Sequence, residues 1–259
     1  LAYMNQSFGE NGILAETTLA WKYAPGGCSE VKQHSLDVAA GKYDSQLDDM
    51  AEVIRSTNGR ISWLLRVEYE VSYNLFTCEQ PVVGQCSDTS YQSAFKHVVH
   101  YLKGTHQLTN VAFVFHVVYG DLDAPCLYPG DDIVDVIGVS FFEGSHDACY
   151  RKGAECINPN VEATLAWAAM HAPSKPLFFP ESTPQDLTSG DATWPTQFIS
   201  QIHSAVAKYD VRYWTYINQD WNAHGWGEGW GDSRVQANPT LLEAWKQRVL
   251  DDERYLCVG

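Results

Sequence analysis

The chain has 259 residues, 45% apolar and 19% charged, with 17 Lys and Arg against 32 Asp and Glu and a formal charge of -15. That composition excludes a disordered chain, and the acidic excess argues against nucleic acid or an anionic membrane surface as a partner. One α/β barrel takes about 250 residues as a single domain, so one domain over residues 1–259 is expected. No apolar run approaches the ~20 residues of a membrane span. The chain opens on Leu1 with no charged leader, which fits a processed, soluble protein, and a monomer is expected.

The seven cysteines bear on compartment. Cys78 and Cys86 bracket a short polar segment, as do Cys149 and Cys156, and each spacing suits a small disulfide-closed loop in an oxidising, extracellular setting. Cys28, Cys126 and Cys257 remain, an odd number, so one thiol is free or lacks its partner. Asn5-Gln6-Ser7 is a glycosylation sequon of small weight, consistent with secretion.

In chain order, Thr17 to Trp21 predicts a short strand. Tyr43 to Arg55 predicts a helix with Leu47, Met50, Ala51 and Ile54 on its inner face. Ile61 to Glu70 is the next strand, and Tyr91 to Leu102 the next helix, with Phe95, Val98, Val99 and Leu102 inward. Val111 to Val118 is a buried strand. Ile133 to Phe142 is another, entered through the turn Pro129-Gly130-Asp131-Asp132. Helix Val161 to Met170, strand Pro176 to Pro180, helix Pro195 to Ala207, strand Val211 to Ile217 and helix Pro239 to Leu250 complete the series. Apolar strands alternating with helices indicate a parallel sheet covered on both faces. A (β/α)8 barrel is the first expectation and an open doubly wound sheet the second, although no Gly-x-Gly-x-x-Gly or phosphate loop supports the latter. If Glu70 ends the fourth strand, Leu1 to Glu16 is too short for two full β/α units. Either the early units are shortened or an N-terminal portion that completes the barrel is a separate fragment.

The chemistry converges on Glu70 and Glu181, each ending an apolar strand just before a polar loop, the place where barrel enzymes carry reacting groups. A buried carboxylate without a partner costs several kcal/mol, so each position needs a cation or a function. Period-two alternation puts Arg66, Glu68 and Glu70 on one strand face. An Arg66–Glu68 ion pair with Glu70 merely at the rim is the alternative reading. Glu181 follows Phe178, Phe179 and Pro180, and the nearest cation in sequence, Lys175, lies at the strand's other end.

The run Leu65-Arg66-Val67-Glu68-Tyr69-Glu70, the segment Tyr128 to Val139, Lys175-Pro176 up to Glu181, and Gly231-Asp232-Ser233-Arg234 together resemble glycoside hydrolase family 26 of clan A, from about Trp21 to Trp245. The resemblance implies a (β/α)8 barrel that hydrolyses a β-linked polysaccharide such as mannan or 1,3-xylan with retention. Glu70 maps to its acid/base, four residues after an arginine, and Glu181 to its nucleophile. No metal or organic cofactor is implied. A retaining pair works at a carboxyl separation of ~5–5.5 Å. Tyr69 stands where family mannanases usually carry a histidine, and Phe141-Phe142 where the clan carries a tyrosine bonded to the nucleophile.

Trp214, Trp221, Trp226 and Trp230 cluster at and after the last strand, with Trp214 and Trp221 the best sugar-stacking platforms and packing expected for about half the group. Asn218 is expected to hydrogen-bond sugar hydroxyls, and Arg66, Tyr69 and His116 to contact substrate. His116 is equally readable as a hydrogen-bonded core histidine. His97 and His100, three apart on a helix, read as packing rather than metal ligation. Two function classes stand: an endo-acting retaining glycosidase, and a carbohydrate-binding barrel with impaired catalysis.

Overall fold

A computed structural model describes residues 13–21, 28–57, 59–71, 89–119, 124–143, 156–185, 194–225 and 230–252. They fall into two compact units, one within residues 5–138 and the other within 139–259. The sequon at Asn5, Trp226 and the cysteines at 78, 86, 149 and 257 lie outside the described residues.

In the first unit, β1 (Ile13–Leu19), β2 (Ile61–Val67) and β3 (Val111–Val117) pair in parallel, and β4 (Val136–Val139) follows β3 in the sheet. Thr18 sits opposite Arg66, and Arg66 opposite Val114. Period two then sorts the side chains. Leu65, Phe113 and Phe115 are fully buried on the face covered by helix α3 (Ser90–Val99), whose Tyr91 ring packs on Phe115 at 6.4 Å and whose hydroxyl donates to the Val67 carbonyl at 2.9 Å. Glu16, Arg66 and His116 share the other face. The first unit thus separates an apolar, helix-covered side from a charged one.

Helix α3 opens on a capping box: the Thr89 hydroxyl accepts from the Gln92 N–H, and the Gln92 side chain accepts from the Thr89 N–H. Such reciprocal bonds satisfy two amide donors that a helix start otherwise leaves bare. The Gln92 amide also donates to the Cys126 and Tyr128 carbonyls, tying the helix to the segment that precedes β4. Asp135 staples β3 to that segment, its amide donating to the Phe113 carbonyl and its carboxylate accepting the Phe113 amide, both at 2.9 Å.

Helix α2 (Asp44–Ser56) buries Leu47, Ala51 and Ile54 as its periodicity predicts, while Met50, expected on the same face, is only partly buried. Helix α1 (Cys28–Ala39) packs against α3 and was not anticipated. Its inward stripe reads Val31, Ser35, Val38, and the central serine hides the apolar period. Buried Ser35 is satisfied locally, donating to the Val31 carbonyl and accepting the Trp21 indole N–H. Among the described residues, β1 is the one strand that precedes β2, and it begins earlier than the expected strand from Thr17 to Trp21.

In the second unit, β5 (Phe141–Glu143) pairs in parallel with β7 (Ser182–Pro184), and β6 (Leu177–Phe179) with β8 (Val211–Trp214). Helices α4 (Pro159–His171) and α6 (Pro239–Trp245) both start on an asparagine cap followed by proline, a residue pre-set for the first helical position. Helix α5 (Trp194–Lys208) packs on α6. Phe141, Phe179 and Phe198 stack edge to face at 5.4 and 5.7 Å with no exposure; burying such a ring stabilises by about 1.5–3 kcal/mol. The predicted strand 133–142 starts only at Val136, after a turn at residues 131–133, and is interrupted at Ser140 into β4 and β5. No helix among the described residues is long and apolar enough to cross a membrane.

Candidate active site

On the strand that leads to Glu70, the polar face of the first unit carries one guanidinium. Arg66 Nε lies 2.6 Å from a Glu16 carboxylate oxygen, Nη1 lies 3.2 Å from Nδ1 of His116, and the guanidinium carbon sits 5.7 Å from the centre of the Tyr69 ring. Glu16 and Arg66 are 11% and 14% exposed in their side chains, and His116 is fully buried. Arg66 therefore does find a carboxylate, Glu16 of β1. The Glu68 carboxylate, also fully buried, accepts the Trp21 backbone N–H. Glu16 was not anticipated. In sequence it is one acidic residue just before the expected strand at Thr17, and only the register of β1 on β2 brings it to Arg66.

The strand ends before Glu70. The alternation that would place Glu68 and Glu70 on the Arg66 face stops at Val67, and both glutamates adopt left-handed backbone, with φ of 61° and 51°. That conformation costs a non-glycine residue about 1–2 kcal/mol and resets side-chain direction, so period two does not carry Glu70 onto the Arg66 face. The turn is held at both sides, by the Glu68 amide donating to the Leu19 carbonyl at 2.8 Å and by fully buried Val71. Glu70 itself is partly exposed.

Glu181 is held differently. It sits between β6 and β7, and its carbonyl accepts the Phe141 amide at 2.8 Å. On either side of it, the Phe179 carbonyl accepts the Thr215 amide and the Ser182 carbonyl accepts the Ile217 amide, both at 2.9 Å. The Thr215 hydroxyl reaches the Pro180 carbonyl, and the Ser182 hydroxyl donates to the Thr215 carbonyl at 2.6 Å. Backbone on both flanks clamps the glutamate, which is partly exposed.

The predicted sugar-stacking rings divide. Trp214 is 4% exposed, its indole N–H donates to Ser182 at 2.6 Å, and its ring packs on Trp245 at 5.3 Å. The expectation of an open platform at Trp214 does not hold, because strand β8 turns that ring into the core. Phe142, Trp230 and Trp221 form a chain of rings at 5.1 and 5.0 Å, with Trp221 and Trp230 partly exposed. Asn218 is exposed, but its side chain is engaged in its own loop, accepting the Val235 amide at 2.7 Å and donating to Gln236.

That loop is a compact unit. Buried Ser233 receives the Trp221 indole N–H and lies within hydrogen-bond distance of the Ile217 and Gln219 carbonyls, while the Tyr216 hydroxyl donates to the Ser233 carbonyl at 2.6 Å. Burial raises the Tyr216 phenol above its usual range. Arg234 holds the Asp232 carboxyl below the usual carboxylate range by a bidentate contact. Of the helix histidines, His97 pairs with Asp44 at 2.6 Å. No cluster of metal-ligating side chains occurs among the described residues.

Solved structures share this parallel α/β arrangement. A Cellulomonas fimi endo-beta-1,4-mannanase matches with a TM-score of 0.60 at 22% identity over 84% of this chain and 48% of its own, and a Bacillus subtilis mannanase with 0.55 at 20% over 83% and 62%. At such identities the likeness shows the fold, which is of the (β/α)8 class. Residues 21–181 match glycosyl hydrolase family 26, and the chain belongs to that family. Two curated relatives are a beta-1,3-xylanase from Vibrio sp, 29% identical over 251 residues, and one from Alcaligenes sp, 27% identical over 250, each aligned to 85% of this chain. The chain spans about half the length of these relatives, 50% and 49%.

Proposed function

We propose that the chain acts as an endo-acting, retaining glycoside hydrolase on a β-linked polysaccharide, with Glu70 as acid/base and Glu181 as nucleophile. The observation that carries the reading is the family match over 21–181, whose span holds both glutamates, each placed directly after a strand of a parallel sheet, where this fold class presents reacting groups. Protonated Glu70 donates to the glycosidic oxygen as the bond to the anomeric carbon breaks, and the Glu181 carboxylate forms an ester to that carbon. Glu70, now ionised, takes a proton from water, which displaces the ester and regenerates both groups.

The names of the two curated relatives favour β-1,3-xylan over mannan as substrate. Secretion, with disulfide-closed loops, is part of the same proposal, since a polysaccharide of this kind is met outside the cell. The test is release of reducing ends from β-1,3-xylan, mannan and laminarin. Glu181→Ala is expected to lower the rate at least 1,000-fold, about 4 kcal/mol of barrel-site transition-state stabilisation, and the wild type to release the β-anomer first. Undiminished hydrolysis by Glu181→Ala, or first release of the α-anomer, contradicts the assignment.

A further inference from the structure

Peptide planes are rigid, so the direction in which a residue presents its side chain follows from how the planes on either side of its Cα are held. Around Glu181, four successive carbonyls accept hydrogen bonds from outside the segment. Those of Phe179, Glu181 and Ser182 take the main-chain amides of Thr215, Phe141 and Ile217 at 2.9, 2.8 and 2.9 Å. The carbonyl of Pro180, which belongs to the plane just before Glu181, takes a side chain instead, the Thr215 hydroxyl. That hydroxyl lies 3.2 Å from the Phe179 carbonyl, so Pro180 is its nearer acceptor. Thr215 is itself bound at both ends, its amide donating to the Phe179 carbonyl and its own carbonyl accepting the Ser182 hydroxyl at 2.6 Å. The Ser182 hydroxyl is in turn held by the Trp214 indole N–H. A branched Cβ leaves a threonine few χ1 choices, so the hydroxyl reaches Pro180 from a fixed base.

We propose that Thr215 is a positioning residue for Glu181: its hydroxyl pins the peptide plane that leads into the glutamate and so helps to aim the carboxylate at the anomeric carbon. The role in turnover rests on the glycosidase reading, whereas the bond to Pro180 does not. Proline already fixes φ at position 180, and the Phe141 amide fixes the plane that follows Glu181. Removing the hydroxyl leaves these in place and loosens the plane between them, which relaxes φ of Glu181. A nucleophile that must approach carbon along one line loses rate steeply when it is slightly misplaced, even though the fold is kept.

The experiment treats the whole chain with an activated 2-deoxy-2-fluoro glycoside of β-1,3-xylobiose and follows the rate and the final extent of attachment to Glu181 by mass spectrometry, beside the 13C shift of the Pro180 carbonyl. Thr215→Val removes the hydroxyl at nearly constant volume. It is expected to label to the wild-type extent but about tenfold more slowly, the usual effect of one lost hydrogen bond, with the Pro180 carbonyl moved upfield. Thr215→Ser keeps the hydroxyl and is expected to restore both. A purely structural role would lower the extent, because less protein is folded, and leave the rate of the folded fraction unchanged. That result overturns the proposal, as does an unmoved Pro180 signal in Thr215→Val or slow labelling to full extent in Thr215→Ser. If Thr215→Val does not fold, Thr215→Ala makes the same removal and decides. The predicted carbonyl shifts, with no attachment to Glu181 and no turnover of β-1,3-xylan, mannan or laminarin by wild type, support the bond and overturn the hydrolase reading, on which the role in turnover rests.

Discussion

Glu70 and Glu181 each lie just past a strand of a parallel sheet, yet the chain segments that carry them are tied down by different means. On β2, the strand that leads to Glu70, the contacts are between charged side chains: one guanidinium between Glu16 and His116, with a second carboxylate, Glu68, buried on a backbone amide. Near Glu181 they are main-chain contacts, with amides of Phe141, Thr215 and Ile217 closing on the carbonyls at 179, 181 and 182. In the proposed mechanism the residue that changes protonation twice per cycle follows a strand carrying a charge network, and the residue that must meet carbon lies in a stretch of main-chain hydrogen bonds. Backbone also differs: Glu68 and Glu70 are left-handed, and Glu181 is not among the residues with positive φ.

The charged support is the more costly to break. Arg66→Met leaves Glu16 partly buried beside a thioether, and removing one partner of a buried pair destabilises by about 3–5 kcal/mol. Urea unfolding is expected to show that loss, and a change under 1 kcal/mol would mean that the network contributes little. In the other clamp, Ser182→Ala deletes the acceptor of the Trp214 indole N–H and the donor to the Thr215 carbonyl. An unsatisfied buried group costs about 1–3 kcal/mol, so a smaller shift of the urea midpoint than for Arg66→Met is expected.

The smallest effect is the most discriminating. Glycine adopts positive φ freely, so Glu70→Gly is expected to abolish turnover while raising stability by up to about 1 kcal/mol. Glu181→Gly is expected to abolish turnover and lower stability, since glycine there only adds freedom to the unfolded chain. Calorimetric melting of the two variants compares them directly, and equal shifts would show that strain at the strand end is not specific to Glu70.

How far each support could be read from sequence follows from the same contrast. Glu70 and Glu181 were legible as acidic residues ending apolar runs, and the helices with strong periodicity, such as α2 and α3, were legible from their stripes. Arg66 was legible as a cation on a strand, but its partner was not, because Glu16 and Arg66 are fifty residues apart and only strand register joins them. The strand was expected to run to Glu70 because nothing in Glu68-Tyr69-Glu70 announces left-handed backbone, which favours glycine. Helix α1 hid behind Ser35, a buried position filled by a polar residue that bonds to its own helix. Trp214 was taken for a binding ring because tryptophans cluster near it, and composition cannot distinguish a ring that faces sugar from one that packs on Trp245.

The central claim, that Glu181 becomes covalently attached to the sugar and Glu70 serves it as acid and base, is tested most directly by trapping with an activated 2-deoxy-2-fluoro glycoside of the preferred sugar. Peptide mapping by mass spectrometry is expected to find one glycosyl adduct, on Glu181, formed far more slowly in Glu70→Ala when the leaving group is poor. An adduct on another residue, or efficient turnover with no adduct at Glu181, would contradict the account.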